Sequence, residues 1–190
     1  VVIDAIRSSM PGVKIIVQDD DMEISHCMDL PIIHDLSALD TDGFLPFAVG
    51  NNKLRKNLAK KYADHFKFPR AIIHRSAVAS RFSAIGPGSV VFANAVINPE
   101  AWIGNHVIVN TGAVIEHECQ VEDYVHISPR VALGGDVRIG EGTHIGIGAS
   151  VIQGVKIGKW STIGAGAVVI DDIPDNCTAV GVPARPIKFH

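Results

Sequence analysis

The stretch Ile97-Asn98-Pro99-Glu100-Ala101-Trp102-Ile103-Gly104-Asn105-His106-Val107-Ile108-Val109-Asn110-Thr111-Gly112-Ala113-Val114-Ile115 repeats itself every six residues. A large aliphatic residue stands at 97, 103, 109 and 115, and a small or β-branched one at 101, 107 and 113. Extended outward from this stretch, the step runs from Ile73 to Val169, and every position except Ala79 is Ile, Val or Leu. A period of six does not match a 3.6-residue helix. It suits short parallel strands joined by corners, three strands to a coil of 18 residues, with coils stacked at about 4.8 Å. The large residue is expected to fill the interior and the small one to sit where walls converge. Gly in the second place, as at Gly86, Gly104, Gly134, Gly140, Gly146, Gly158 and Gly164, is expected to ease the corners.

Composition places the edge of this repeat. Only three of 18 glycines precede residue 73, whereas six of the seven leucines do. Two architectures are therefore expected, residues 1–70 and residues 71–190. In the first, Val1 to Ser9 reads as a helix ended by Pro11-Gly12. Val13 to Val17 and Phe44 to Val49 read as strands, and Lys53 to Phe66 as a helix with Leu54, Leu58 and Tyr62 on its buried stripe. Strand, polar turn and helix make a βα unit, whose ligands gather at the carboxyl ends of strands. Asp19, Asp20, Asn51 and Asn52 stand at such ends, although residues of these types also serve simply as turns and caps.

With 17 Lys and Arg against 20 Asp and Glu, the net charge is −3, which argues against a broad nucleic-acid or anionic-membrane surface. No apolar run is long enough to span a bilayer, and nothing at the start marks export. Cys27, Cys119 and Cys177 lack CxxC spacing and read as reduced thiols, so a cytoplasmic setting is expected.

Chemistry concentrates in Glu116-His117-Glu118-Cys119, with His126 nine residues beyond His117. His117 takes the third hexad place, a corner, where imidazole can act as a base and a neighbouring carboxylate can fix its tautomer. Cys119 takes the inward fifth place and is expected to be buried. His126 and His144 are one coil apart and should stack. His117 and His126 are half a coil apart and face different sides, so a site using both needs a second subunit. A metal held by His106, His117, His126 and His144 is the weaker reading, because no matching ligand pattern accompanies them.

The hexads resemble the left-handed parallel β-helix of the hexapeptide-repeat acyltransferases; the left hand comes from that resemblance, since ordinary parallel crossovers are right-handed. The His-Glu-Cys stretch with its distant His, and the ending Gly181-Val182-Pro183-Ala184-Arg185, resemble more narrowly the bacterial nucleotide-sugar N-acetyltransferases of the bacillosamine and related pathways. Sialic-acid O-acetyltransferases are relatives. The resemblance implies a Rossmann-like N-terminal domain, a homotrimer, acetyl-CoA as co-substrate, no metal, and a UDP-linked 4-amino-4,6-dideoxy-N-acetylhexosamine as acceptor. It implies that His117 is the general base and Glu118 its orienting partner. His126, Gly134, Gly135, Gly146 and Ile147 would meet acetyl-CoA, with Lys156, Lys159 and Arg185 near its phosphates by charge. Asp19 and Asp20 would take the uracil or ribose, with Asn51, Asn52 and Arg55 beside them. The family's opening strand and glycine-rich turn are not in the sequence, and residues upstream of Val1 are expected to supply them. Sugar O-acetylation and a non-catalytic nucleotide-sugar scaffold are the alternatives.

Overall fold

The structure is a computed structural model that describes residues 1–35 and 43–190. Residues 36–42, within the expected α/β segment, lie outside the described residues.

From Ile72 onward the chain winds into a three-walled parallel β-solenoid. Strands of two residues recur every six, and each pairs in parallel with the strand 18 residues away. The first wall stacks 72–73, 90–91, 108–109, 126–127, 144–145 and 162–163, and is closed by the antiparallel pair Cys177–Gly181 and Ala184–Phe189. The second wall runs from 78–79 to 168–169 and the third from 84–85 to 156–157. The step residues Ile97 to Val169 are buried, and so are the fifth-place residues Ala95 to Ala167. Each such Ile or Val removed from water contributes roughly 1.5–3 kcal/mol. Stacked coil on coil, they form the core.

The corners work differently from the expectation. Left-handed backbone falls on the fourth place of the hexad, at Gly88, Asn94, Glu100, His106, Gly112, Glu118, Tyr124, Arg130 and Asp136 in turn, so most corners are turned without glycine. The second-place glycines serve close coil-to-coil approach instead: a Cβ on Gly134 would lie 2.6 Å from the Gln153 nitrogen, and one on Gly140 2.7 Å from the Lys159 nitrogen.

No Rossmann-like sheet is present among the described residues. Residues 1–70 supply two helices, α1 (Val2–Ser9) and α2 (Asn52–Tyr62), and a small sheet of β1 (Val17–Gln18), β2 (His26–Cys27) and β3 (Leu30–Ile33). β3 lies between β1, which it pairs in parallel, and β2, antiparallel. Only the end of the expected Val13–Val17 strand forms, and the expected Phe44–Val49 strand reduces to a bridge between Phe44 and Lys67.

These elements use the solenoid as their core. α1 lays Ala5 and Ile6 on Ile72, Val90, Phe92 and Ile108 of the first wall. α2 buries Asn52, Arg55 and Ala59 rather than the Leu54 stripe, and Leu54 is 48% exposed. The reason is its docking surface: the corners it meets present backbone carbonyls, which call for donors rather than aliphatic carbon.

Candidate acyl-transfer site

His117 stands at the corner between the second and third walls. Its Nδ1 lies 2.9 Å from Glu118 Oε2, and the two side chains are 59% and 58% exposed. A carboxylate only accepts, so Nδ1 carries the proton and Nε2 keeps its lone pair facing outward. Left-handed backbone at Glu118 (φ +62°) turns its carboxylate back toward the ring. Glu116, the other flanking acid, is held by Asn98 Nδ2 at 2.9 Å. One coil on, Gly135 lies under the imidazole: a Cβ there would sit 2.6 Å from His117 Cε1 and 2.8 Å from Nε2.

The solenoid's hydrogen bonds single out which backbone donors are free. Second-place N–H groups bond the next coil, so Gly134 donates to Val151 O (2.9 Å) and Gly146 to Ile163 O (2.8 Å). Third-place N–H groups have no ladder partner; some take side-chain acceptors, Asn105 donating to Asp123, Glu141 to Glu122 and Lys159 to Asp175, whereas those of His117, Asp123, Gln153 and Ala165 show no acceptor among the described residues. At Gly135 and Ile147, also third-place, no acceptor is found among the described residues. Of Gly134, Gly135, Gly146 and Ile147, expected to meet acetyl-CoA, Gly135 and Ile147 therefore have open N–H groups.

His126 lies on the first wall, away from His117. Its ring stacks on that of His144 at 4.8 Å and 6°, as the 18-residue spacing predicted. Parallel rings do not converge their nitrogens on one point, and among the described residues no cluster of three or more His, Cys, Asp or Glu could hold a metal. Asn110 Oδ1 accepts from Thr111 N–H (2.8 Å), which turns its Nδ2 toward His126 Nε2 (3.2 Å). Nε2 is thus an acceptor, and the proton sits on Nδ1, which is buried without a partner. Burial first, then His144 and Arg55, push its pKa down to about 4, so the ring is neutral. His106, also pushed to about 4 by burial and Arg55, is stacked on Tyr124 and boxed by Phe47 and Phe68. Cys119 is fully buried, and burial raises its thiol to about 11, which leaves no thiolate at neutral pH.

These histidines make a pH prediction. A lowered folded pKa means the unfolded chain binds more protons below pH 6.5, so the stability is full above 6.5 and is lost as pH falls toward 4. The expected loss is on the order of 2 kcal/mol, read as a lower urea midpoint at pH 4.5 than at pH 7. An unchanged midpoint contradicts the burial of these rings as neutral groups.

A groove of about 880 Å³ runs along the third wall, lined by Trp102, Gln120, Arg138, Lys156 and Lys159 among others. Lys156 and Lys159 meet there, whereas Arg185 pairs with Asp171 at 2.7 Å outside the groove lining. Trp102 and Arg138, which stack in register with Gln120, were not foreseen; their outward sixth place in each hexad was the available signal.

In the N-terminal segment, Asp19 and Asp20 form an exposed turn after β1, with Asp19 Oδ1 taking Asp21 N–H and Asp20 taking Gln18 Nε2. Asn51 caps α2 by accepting from Leu54 N–H at 3.0 Å. Asn52 and Arg55 turn inward onto the solenoid: Asn52 Nδ2 donates to Gly142 O and Thr143 O, and Arg55 is 1% exposed with its donors on backbone carbonyls.

A profile for the bacterial transferase hexapeptide (six repeats) matches residues 136–171. The acetyltransferase domain of PglB from Neisseria gonorrhoeae, solved with acetyl coenzyme A, is 38% identical over 98% of this chain and 93% of that one, with a TM-score of 0.92. PerB from Caulobacter crescentus, solved with CoA and GDP-perosamine, is 39% identical over 99% of this chain and 91% of that one, with a TM-score of 0.91. The chain belongs to the hexapeptide-repeat nucleotide-sugar N-acetyltransferases. It is therefore an acetyl-CoA-dependent acyltransferase, and its solenoid is of the left-handed type. WeeI from Acinetobacter baumannii, 24% identical with a TM-score of 0.84, shares the fold. No curated protein matches the acetyltransferase, and no helix among its described residues is long and apolar enough to cross a membrane.

Proposed function

We propose that this chain transfers the acetyl group of acetyl-CoA to the amine of a UDP-linked amino-deoxy sugar of the 4-amino-4,6-dideoxy-N-acetylhexosamine type, with His117 as general base. The observation that carries this reading is the pairing of His117 Nδ1 with Glu118, which leaves Nε2 lone-paired over Gly135, whose N–H has no acceptor among the described residues. In that geometry the amine attacks the thioester carbon, the Gly135 N–H receives the developing oxyanion, and Nε2 takes the amine proton. The imidazolium then protonates the departing thiolate, so atoms and charge balance without an acyl-enzyme.

The corners of Gly135 and Ile147 both carry open third-place N–H groups, and the second wall lies between them. Its outward column is Val96, Val114, Ala132, Ser150 and Val168, small or apolar throughout. A trimer built on that wall would bring the His117 corner of one subunit against the Ile147 corner and His126 of the next. The cleft between them would take the thioester arm. Lys156 and Lys159 would meet the coenzyme's phosphates on the third wall, and Asp19 and Asp20 would take the uracil or ribose. The inward hydrogen bonds of Asn52 and Arg55 support a role in holding that acceptor lobe rather than in touching the nucleotide. The cytoplasm, where acetyl-CoA is available, is the expected setting.

Replacing Lys156 and Lys159 together with Ala is expected to raise the KM for acetyl-CoA about tenfold with kcat little changed, since exposed charge contacts to a phosphate are worth about 1–2 kcal/mol. An unchanged KM removes them from the coenzyme site. The activity itself is tested by comparing amino and hydroxy sugars on UDP and GDP. The reading expects the UDP-linked amine to give the highest kcat/KM. Preference for the hydroxyl would make the chain an O-acetyltransferase, and preference for GDP would overturn the assignment of uracil to the Asp19 turn.

A further inference from the structure

One determinant of whether a third-place N–H is open is the side chain 19 residues earlier, at the second place of the preceding coil. That position stands directly against the donor. A Cβ added at Gly134 would lie 2.6 Å from the Gln153 nitrogen, at Gly140 2.7 Å from the Lys159 nitrogen, and at Gly146 2.7 Å from the Ala165 nitrogen. Where a glutamate occupies the place, it takes the donor: Glu122 Oε2 accepts from Glu141 N–H at 2.9 Å. Gly104, Gly134 and Gly146 have nothing to offer, and the N–H groups of Asp123, Gln153 and Ala165 have no acceptor among the described residues.

Gly135 departs from this pattern. The residue 19 before it is Glu116, the same side chain in the same hexad place as Glu122, yet the Gly135 N–H has no acceptor among the described residues. The reason lies one coil back, where Asn98 Nδ2 donates to Glu116 Oε2 at 2.9 Å and draws the carboxylate toward itself. Both side chains are half-buried, so a carboxylate deprived of this partner would turn to the nearest open donor. The other open corner is built alike: Ser128 stands 19 residues before Ile147, and its hydroxyl is engaged by His144 Nε2 at 2.8 Å instead.

We infer that Asn98 is a positioning residue for acyl transfer. It holds the Glu116 carboxylate off the Gly135 N–H, so that this donor stays free for the thioester oxygen. The effect on turnover rests on the proposed role of Gly135 as oxyanion donor. A donor occupied by a carboxylate is worse than one that is missing, because a negative charge then lies where the transition state develops its own. Asn98 acts through Glu116, so its loss should be harmless once Glu116 is gone.

The test uses the full chain and reads the Gly135 amide by NMR alongside steady-state kinetics. In the parent that amide is expected to exchange freely with solvent. Asn98→Ala should move its proton downfield and slow its exchange as Glu116 captures it, and should lower kcat about 10²-fold with the KM for acetyl-CoA little changed. Asn98→Asp, which keeps the shape but repels Glu116, should act in the same direction. Glu116→Ala should stay close to the parent in kcat, and Asn98→Ala combined with Glu116→Ala should recover the parent's rate. A merely structural role for Asn98 would not be repaired by removing a second side chain. A parent-like Gly135 amide in both Asn98 variants overturns the inference, and so does a double variant as slow as Asn98→Ala. Failure of the underlying reading is separable: it would appear as a captured Gly135 amide with unchanged kcat.

Discussion

His117→Ala is expected to lower kcat by about 10²–10⁴-fold while leaving the fold and the KM for acetyl-CoA close to the parent. The imidazole is more than half exposed at a corner, contributes nothing to the buried column, and touches the rest of the protein chiefly through Glu118 and Gly135. Its removal therefore takes away a proton acceptor and little else. The rate should be regained in part by added imidazole, since the space over Gly135 would be vacant. A variant that turns over within a few-fold of the parent removes His117 from the chemistry. Glu118→Gln makes a milder companion: the amide can offer its own N–H to Nδ1 and so favour the wrong tautomer.

Gly135→Ala should be nearly as damaging, at about 10²-fold in kcat, although it adds only a methyl group. Its Cβ would lie 2.6 Å from Cε1 and 2.8 Å from Nε2 of His117, nearer than such atoms approach, so the imidazole must move. A displacement of about 1 Å at the reacting centre is worth about 100-fold. Gly135 is not left-handed, so alanine is free of backbone strain there, and the thermal midpoint should stay within a few degrees. A control lies further along the chain at Gly148, where no atom stands within 4 Å of the added Cβ but φ is +67°; Gly148→Ala should cost some stability and little activity. If Gly135→Ala instead loses stability with unchanged kcat, the ring does not need its place over this glycine.

The solenoid was legible because its core is a column. Each step residue from Ile97 to Val169 sits in a strand whose parallel ladder partners lie 18 residues away, so one-dimensional periodicity carries most of the packing problem. His117 and Glu118 were legible for the same reason, since a hexad place fixes which way a side chain points. The N-terminal segment was not, because its helices have no private core. α2 turns Asn52 and Arg55 inward, an arrangement that helix amphipathicity would read backwards, and only the row of corner carbonyls opposite explains it. The second-place glycines were visible but misassigned: their spacing shows that a Cβ is excluded, not whether backbone twist or a neighbouring coil excludes it. The distinction between Gly134, whose N–H is bonded, and Gly135, whose N–H is open, depends on the ladder and has no sequence signature.

The central claim is direct transfer from acetyl-CoA to a nucleotide-linked amine at the His117 corner. A single-turnover experiment with labelled acetyl-CoA tests it most directly, following free thiol, labelled sugar and labelled protein together. Thiol and acetylated UDP-amino sugar should appear at one rate, with no label on the protein and no thiol released without the acceptor. Labelled protein, or thiol released ahead of the acetylated sugar, would contradict it.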